Sequence, residues 1–148
     1  MNPDELYDLH IEIKELSRLS QELIEPSLVK YDLTSVQYRA LQLIVLNESL
    51  AVKHISNHLK IRPAAGTALI DRLERKNLIE RCHSEEDRRV VYIQATDGGK
   101  ETYHSINCCF TNIFNDFYGV LNEGETELLK QIVGKLTEHV SSCIDDPC

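Results

Sequence analysis

The residue types best able to do chemistry lie in one short stretch, "RCHSEEDRRVVYIQAT", residues 81 to 96. Two runs rich in branched and aromatic residues, "LIERCH" and "VVYIQA", flank the polar turn "SEEDRR", which is the pattern of a β-hairpin. Arg81 precedes the turn, and Asp87, Arg88 and Arg89 lie at its tip. A guanidinium there suits an anion. Asp87, two residues before Arg89, points to the same side of the hairpin and can orient Arg89 or Arg81 by a charge-assisted hydrogen bond. The plainer alternative is an exposed ion pair, worth well under about 1 kcal/mol, that only keeps the turn soluble.

Other constellations are weaker. His54 and His58 are four apart, a spacing that can hold zinc on one helix face, but no third ligand is near and the reading is no metal; a metal-responsive protein stays open as an alternative. The five cysteines are odd in number and form no CxxC pair, which argues against a disulfide framework or a thiolate zinc site. Cys82 stands beside arginines that would favour its thiolate, Cys108 lies on a polar flank, and Cys143 and Cys148 fall in or near the tail "SSCIDDPC". These four are the redox candidates. Cys109 falls on an apolar stripe and reads as core. No nucleotide-binding glycine loop, GxSxG or HExxH occurs, so an enzyme is not expected, nor is a cofactor.

Helices must position the hairpin. Leu6, Leu9, Ile13, Leu16 and Leu23 give one apolar stripe to a long first helix, which Pro26 is expected to kink or end. Thr34 and Gln37 fit a capping box before the buried helix "SVQYRALQLIVLN". The short helix "VKHISNHL" follows. Pro63 then opens a fourth helix with Ile61, Ala65, Leu69 and Leu73 on its inner side, ending near Lys76 and Asn77. After the hairpin, Tyr103, Ile106, Phe110, Ile113, Phe117 and Leu121 stripe a fifth helix. Asn122 with Glu125 caps a sixth, which carries Leu128, Ile132, Leu136 and Val140. The fold class is therefore mainly α with a small β-hairpin wing: a winged helix-turn-helix with N- and C-terminal dimerisation helices. A domain this small cannot cover its terminal stripes alone, and pairing two copies would bury them.

At 148 residues the chain fits one domain with a real core. The formal charge of −8 argues against a surface attracted as a whole to nucleic acid or lipid. Charge is segregated, however. From Lys53 to Tyr92 nine basic residues stand against six acidic, a balance of +3, while the remainder holds seven basic and eighteen acidic, a balance of −11. One face turned to phosphate would produce this pattern, and so would ordinary solvated helices. The acidic start lacks the features of a secretion signal and no run approaches a membrane span, so a cytoplasmic protein without membrane contact is expected.

The runs "LTSVQYRALQLI" and "ISNHLKIRPAAGTALIDRLERKNLIERCHSEEDRRVVYIQATDGGKE" resemble the MarR family of winged-helix regulators, and the flanking helices extend the resemblance to nearly the whole chain. "LIDRLERKNLIER", the Asp87-Arg88-Arg89 wing pattern and "ATDGGK" carry it together. The resemblance implies a single domain over residues 1–148, with dimerisation helices at 1–31 and 97–143, a winged helix-turn-helix at 34–95 and a tail at 144–148. It implies a homodimeric repressor that binds a roughly palindromic double-stranded DNA operator and is released by a small aromatic effector or an oxidant. In that setting Asp87, Arg88, Arg89 and Arg81 form the DNA-binding wing, with Arg89 entering a narrow minor groove. Arg62, Pro63, Ala64, Ala65, Thr67, Ala68, Asp71 and Arg72 form the pool for the major groove. "PAAGTA" has small residues where longer donors are common in the family. Thr67 and the alanines are thus expected to meet thymine methyl groups, with Arg62 and Arg72 reaching further. Lys53, His54, Lys60 and Arg75 are assigned to phosphate. Tyr7, His10, Arg18, Tyr38 and Arg39 are candidates for an effector crevice, with ordinary core or surface as the competing reading. The first helix has no cysteine, so the mechanism of the family's oxidant-sensing branch that keeps its thiol there does not carry over. A winged-helix protein-interaction module is the main alternative function.

Overall fold

A computed structural model describes residues 2–83 and 91–145. The chain divides into two compact units, one ending at Phe110 and the other beginning at Thr111.

In the first unit, α1 (Pro3–Lys30) starts with a capping box in which the Asn2 side chain accepts from Asp4 N–H while Glu5 accepts from Asn2 N–H. The expectation that Pro26 would kink or end the helix is corrected as to its end: the helix continues through it for four residues. Proline removes only the N–H that would serve the Glu22 carbonyl, and Glu22 is exposed, so water can satisfy that oxygen. Beyond it Leu28, 1% exposed, anchors the last turn. The end is closed by Leu33 N–H donating to Leu28 O at 3.0 Å, with Asp32 at φ 53°.

Helix α2 (Ser35–Leu46) carries the Thr34–Gln37 capping box. Its Tyr38, Ala40, Leu41 and Ile44 are buried, and Tyr38 stacks on Tyr103 at 6.0 Å and meets the edge of Phe110 at 5.0 Å. Helices α3 (Val52–His58) and α4 (Pro63–Arg75) form the helix-turn-helix. The turn is made by Lys60 at φ 53°, with Ile61 N–H donating to Ser56 O at 3.0 Å. A Cβ on Gly66 would lie 1.9 Å from Ser56 Oγ, so with Ser56 oriented as it is the close approach of α4 to α3 needs glycine here.

Strands β1 (Ile79–His83) and β2 (Val91–Ala95) are antiparallel with Arg81 opposite Ile93. Leu50 adds a third, one-residue rung by exchanging two backbone bonds with Ile93 at 3.0 and 2.8 Å. Helix α5 (Asp97–Tyr118) opens on Thr96, whose hydroxyl donates to Asn77 O at 2.6 Å and accepts from Gly99 N–H at 3.0 Å. Gly99 is required, because a Cβ there would fall 1.9 Å from Leu78 O.

The second unit holds the end of α5 and helix α6 (Glu123–Asp145). Asn122 and Glu125 form the expected box at 2.9 and 3.0 Å. No residue of this unit is buried among those described: Leu128, Ile132, Leu136 and Val140 are 46–56% exposed. No helix of the described residues is long and apolar enough to cross a membrane.

Candidate nucleic-acid interface

Helix α4 sorts its residues by face. Gly66, Leu69, Ile70 and Leu73 are buried against the core. Arg62, Pro63, Ala64, Ala65, Thr67, Ala68 and Arg72 are all exposed. The expected inner position Ala65 is corrected to this outer group: at 3.6 residues per turn the buried line runs through 66, 69, 70 and 73, and 65 falls off it. The Thr67 hydroxyl donates to Pro63 O at 3.2 Å, one turn back along the exposed side of the helix. Arg62, the N-cap, and Arg72 are separated by about 15 Å along the axis at about 1.5 Å per residue. Arg72 forms no ion pair among the described residues, and the neighbouring acid Glu74 pairs with Arg81.

Lys53, His54, Lys60 and Arg75 are exposed. Arg75 Nε donates to Asp71 O at 3.2 Å, which aligns its guanidinium along α4. His58 is exposed on α3 with His54, and no metal-holding cluster of three His, Cys, Asp or Glu occurs among the described residues.

On the wing the sequence located a cation but not its direction. Asp87, Arg88 and Arg89 lie outside the described residues. Arg81 is described, and its partners are Asp71 at 2.5 Å and Glu74, both on α4. The strand pleat sends Cys82 to the other face, where its thiol meets Gln94 Oε1 at 3.5 Å, so Arg81 does not adjoin that thiol. Ile79, buried two residues before Arg81, was the available signal for this side.

The effector candidates are not brought into one cavity. Tyr38 is 6% exposed among Tyr103 and Phe110, and burial first, then the neighbouring Tyr103 hydroxyl, pushes its phenol up to about 12. Arg18 pairs with Glu15 at 2.6 Å and with Glu22 on the exposed side of α1, which raises its own pKa and lowers that of Glu15. Tyr7, His10 and Arg39 are exposed. A groove of about 560 Å³ opens instead at the α1–α2 corner, lined by Leu28, Val29, Leu33, Val36, Gln37 and Lys76 among others, and by none of the five. Lys76 reaches across that corner to the Asp32 carboxylate at 2.8 Å. Among the thiols, Cys108 and Cys143 are exposed, and Cys109, expected in the core, is only half-buried. Cys143 Sγ lies 3.9 Å from His139 Nε2, while Cys148 is outside the described residues.

A helix-turn-helix followed by an antiparallel hairpin, with a third strand rung from the preceding loop, defines a winged-helix protein. The MarR family profile matches residues 33–91. The HTH-type transcriptional repressor MdtR of Bacillus subtilis is 30% identical over 132 residues, covering 88% of this chain and 84% of that protein. Among solved structures, YusO from Bacillus subtilis superposes with a TM-score of 0.71 at 29% identity, over 93% of this chain and 99% of that one. A MarR variant from E. coli, crystallised with operator DNA, superposes with a TM-score of 0.77 at 22% identity, over 90% and 96%. This chain belongs to the MarR family and is a transcriptional regulator rather than an enzyme.

Proposed function

We propose that the protein is a cytoplasmic, homodimeric repressor of a single MarR-type domain that binds a roughly palindromic operator and leaves it when a small aromatic ligand or an oxidant shifts its two reading heads. The observation that carries this reading is the division of α4, whose inner face is fully committed to packing while its N-terminal outer face is open over two turns. Arg62 and Arg72 supply reach, and Thr67 with Ala64, Ala65 and Ala68 offers methyl groups suited to thymine. Lys53, His54, Lys60 and Arg75 hold phosphate, which fixes register without reading sequence. The wing arginines Arg88 and Arg89, with Asp87, serve the minor groove. The operator complex of the E. coli relative and the repressor name of MdtR support the same assignment.

The exposed stripes of α1 and α6 support pairing, and a pair of this kind sets two recognition helices about one duplex turn apart. The test is fluorescence anisotropy on the DNA upstream of the coding sequence at fixed salt, with unrelated DNA as competitor and with reduced and oxidised samples in parallel. Selective binding by the reduced protein that oxidation abolishes supports the repressor and points to Cys82, Cys108, Cys143 or Cys148. Selective binding indifferent to oxidation directs the search to aromatic ligands. A protein-interaction module would show no sequence preference with any DNA.

A further inference from the structure

Arg81 stands in an unusual place for a side chain that contacts DNA. It follows buried Ile79 by two residues and lies opposite buried Ile93, so the pleat turns it inward toward α4. There its guanidinium divides between two carboxylates one helical turn apart: Nη2 donates to Asp71 at 2.5 Å and Nη1 donates to Glu74. The three side chains are 32–48% exposed, a setting in which ion pairs add little to folding stability. Their effect is on the field around the reading helix. Asp71 and Glu74 share α4 with Thr67 and Arg72, below the N-cap Arg62, and without Arg81 the two carboxylates would have no ion-pair partner among the described residues, so their negative charge would face the phosphate backbone unscreened by it.

We propose that Arg81 is a positioning residue that cancels and immobilises Asp71 and Glu74 and ties the stem of the wing to the recognition helix, rather than a groove contact. The proposal rests on the DNA-binding reading above. It makes the wing and α4 one reading unit: a guanidinium from β1 grips the helix across its third and fourth turns, so the hairpin cannot swing without exposing the carboxylates.

Charge cancellation has a signature that a phosphate contact lacks. Removing Arg81 does harm only while the carboxylates remain, and neutralising them must repair it. Anisotropy titrations over a salt series would compare the unsubstituted dimer, Arg81→Ala, and Arg81→Ala combined with Asp71→Asn and Glu74→Gln. The single change is expected to weaken operator binding about tenfold through like-charge repulsion, and the triple change to recover to within about threefold. The salt slope should stay that of the unsubstituted protein, because no phosphate contact is lost. A triple variant as weak as the single one, with the slope reduced by about one, would make Arg81 a phosphate contact and overturn the proposal. So would undiminished binding by Arg81→Ala. Arg81→Met, which keeps an aliphatic stem over Ile79 and Ile93, carries the same comparison if the alanine variant fails to melt cooperatively. Absence of selective binding by the unsubstituted protein would sink the DNA-binding reading itself, and this proposal with it.

Discussion

From Leu28 to Phe110 the chain contains every apolar side chain that is buried among the described residues; the stretches before and after contain none. Leu41, Ile44, Ile55, Ile70, Leu73, Ile93 and Ile106 are sealed completely, whereas Leu6, Leu9, Ile13, Leu16 and Leu23 of α1 stay 45–53% exposed. Periodicity alone does not distinguish these cases, since both show apolar residues at three- and four-residue steps. What separates them is whether a second apolar surface exists within the chain to meet the stripe. In this stretch the hairpin, the end of α1, helices α2, α3 and α4 and the first half of α5 all contribute buried apolar residues. The terminal helices have stripes of the same quality that stay exposed.

The sharpest way to break that comparison is to charge an outer stripe. Ile132→Asp with Leu136→Asp should convert the protein to monomers in sedimentation equilibrium and weaken operator binding about 100-fold or more, because the second half-site loses its tethered partner. The far-ultraviolet spectrum of the winged region should persist. A mass unchanged from the parent would show that α6 does not join two copies.

The inner region answers to shape rather than charge. Gly99→Ala should cost about 2–3 kcal/mol in urea unfolding, because its Cβ would meet the Leu78 carbonyl of the backbone, which has no rotamer with which to give way. Gly66→Ala should cost less, since Ser56 can turn, and Ser56→Gly in the same chain should recover part of it. Equal costs would show that the two glycines are not held by different kinds of neighbour.

A smaller effect appears at high pH. The Tyr38 phenol, held up to about 12 mainly by burial, is neutral in the folded state where an unfolded tyrosine begins to ionise near pH 10. Its contribution is complete below pH 10 and declines as pH rises toward 12, up to about 2 kcal/mol by linkage. Denaturation followed from pH 9 to 12 should show this decline, and Tyr38→Phe should reduce it. The smallest change is a gain: Lys60→Gly relieves a side chain at φ 53° and should add up to about 1 kcal/mol of stability. The same substitution removes one candidate phosphate contact, so the salt slope of DNA binding should fall by about one.

These contrasts explain what the sequence could disclose. Caps at Thr34 and Asn122, the two strands and the start of α4 at Pro63 follow from local chemistry that acts within a few residues. Pro26 misled as to where α1 ends because the penalty for a helical proline depends on whether the orphaned carbonyl faces water, a tertiary property. The rung from Leu50 has no period to detect, being a single residue. Tyr38 looked available for a ligand by residue type, yet its spacing from Leu41 puts it on the inner face of α2. Arg81 was recognised as a cation of the wing, but its reach to Asp71 and Glu74 depends on how β1 lies over α4.

The partition of α4 has a consequence for how such a protein diversifies. Positions 66, 69, 70 and 73 carry the packing, while 62, 64, 65, 67, 68 and 72 carry none of it. On the proposed assignment of the outer face to DNA, operator preference and folding stability are written on separate sets of residues between positions 62 and 73. A duplicated gene can drift toward a new target by changes at the second set, each nearly neutral for the fold, and two descendants can part in specificity while remaining interchangeable as scaffolds.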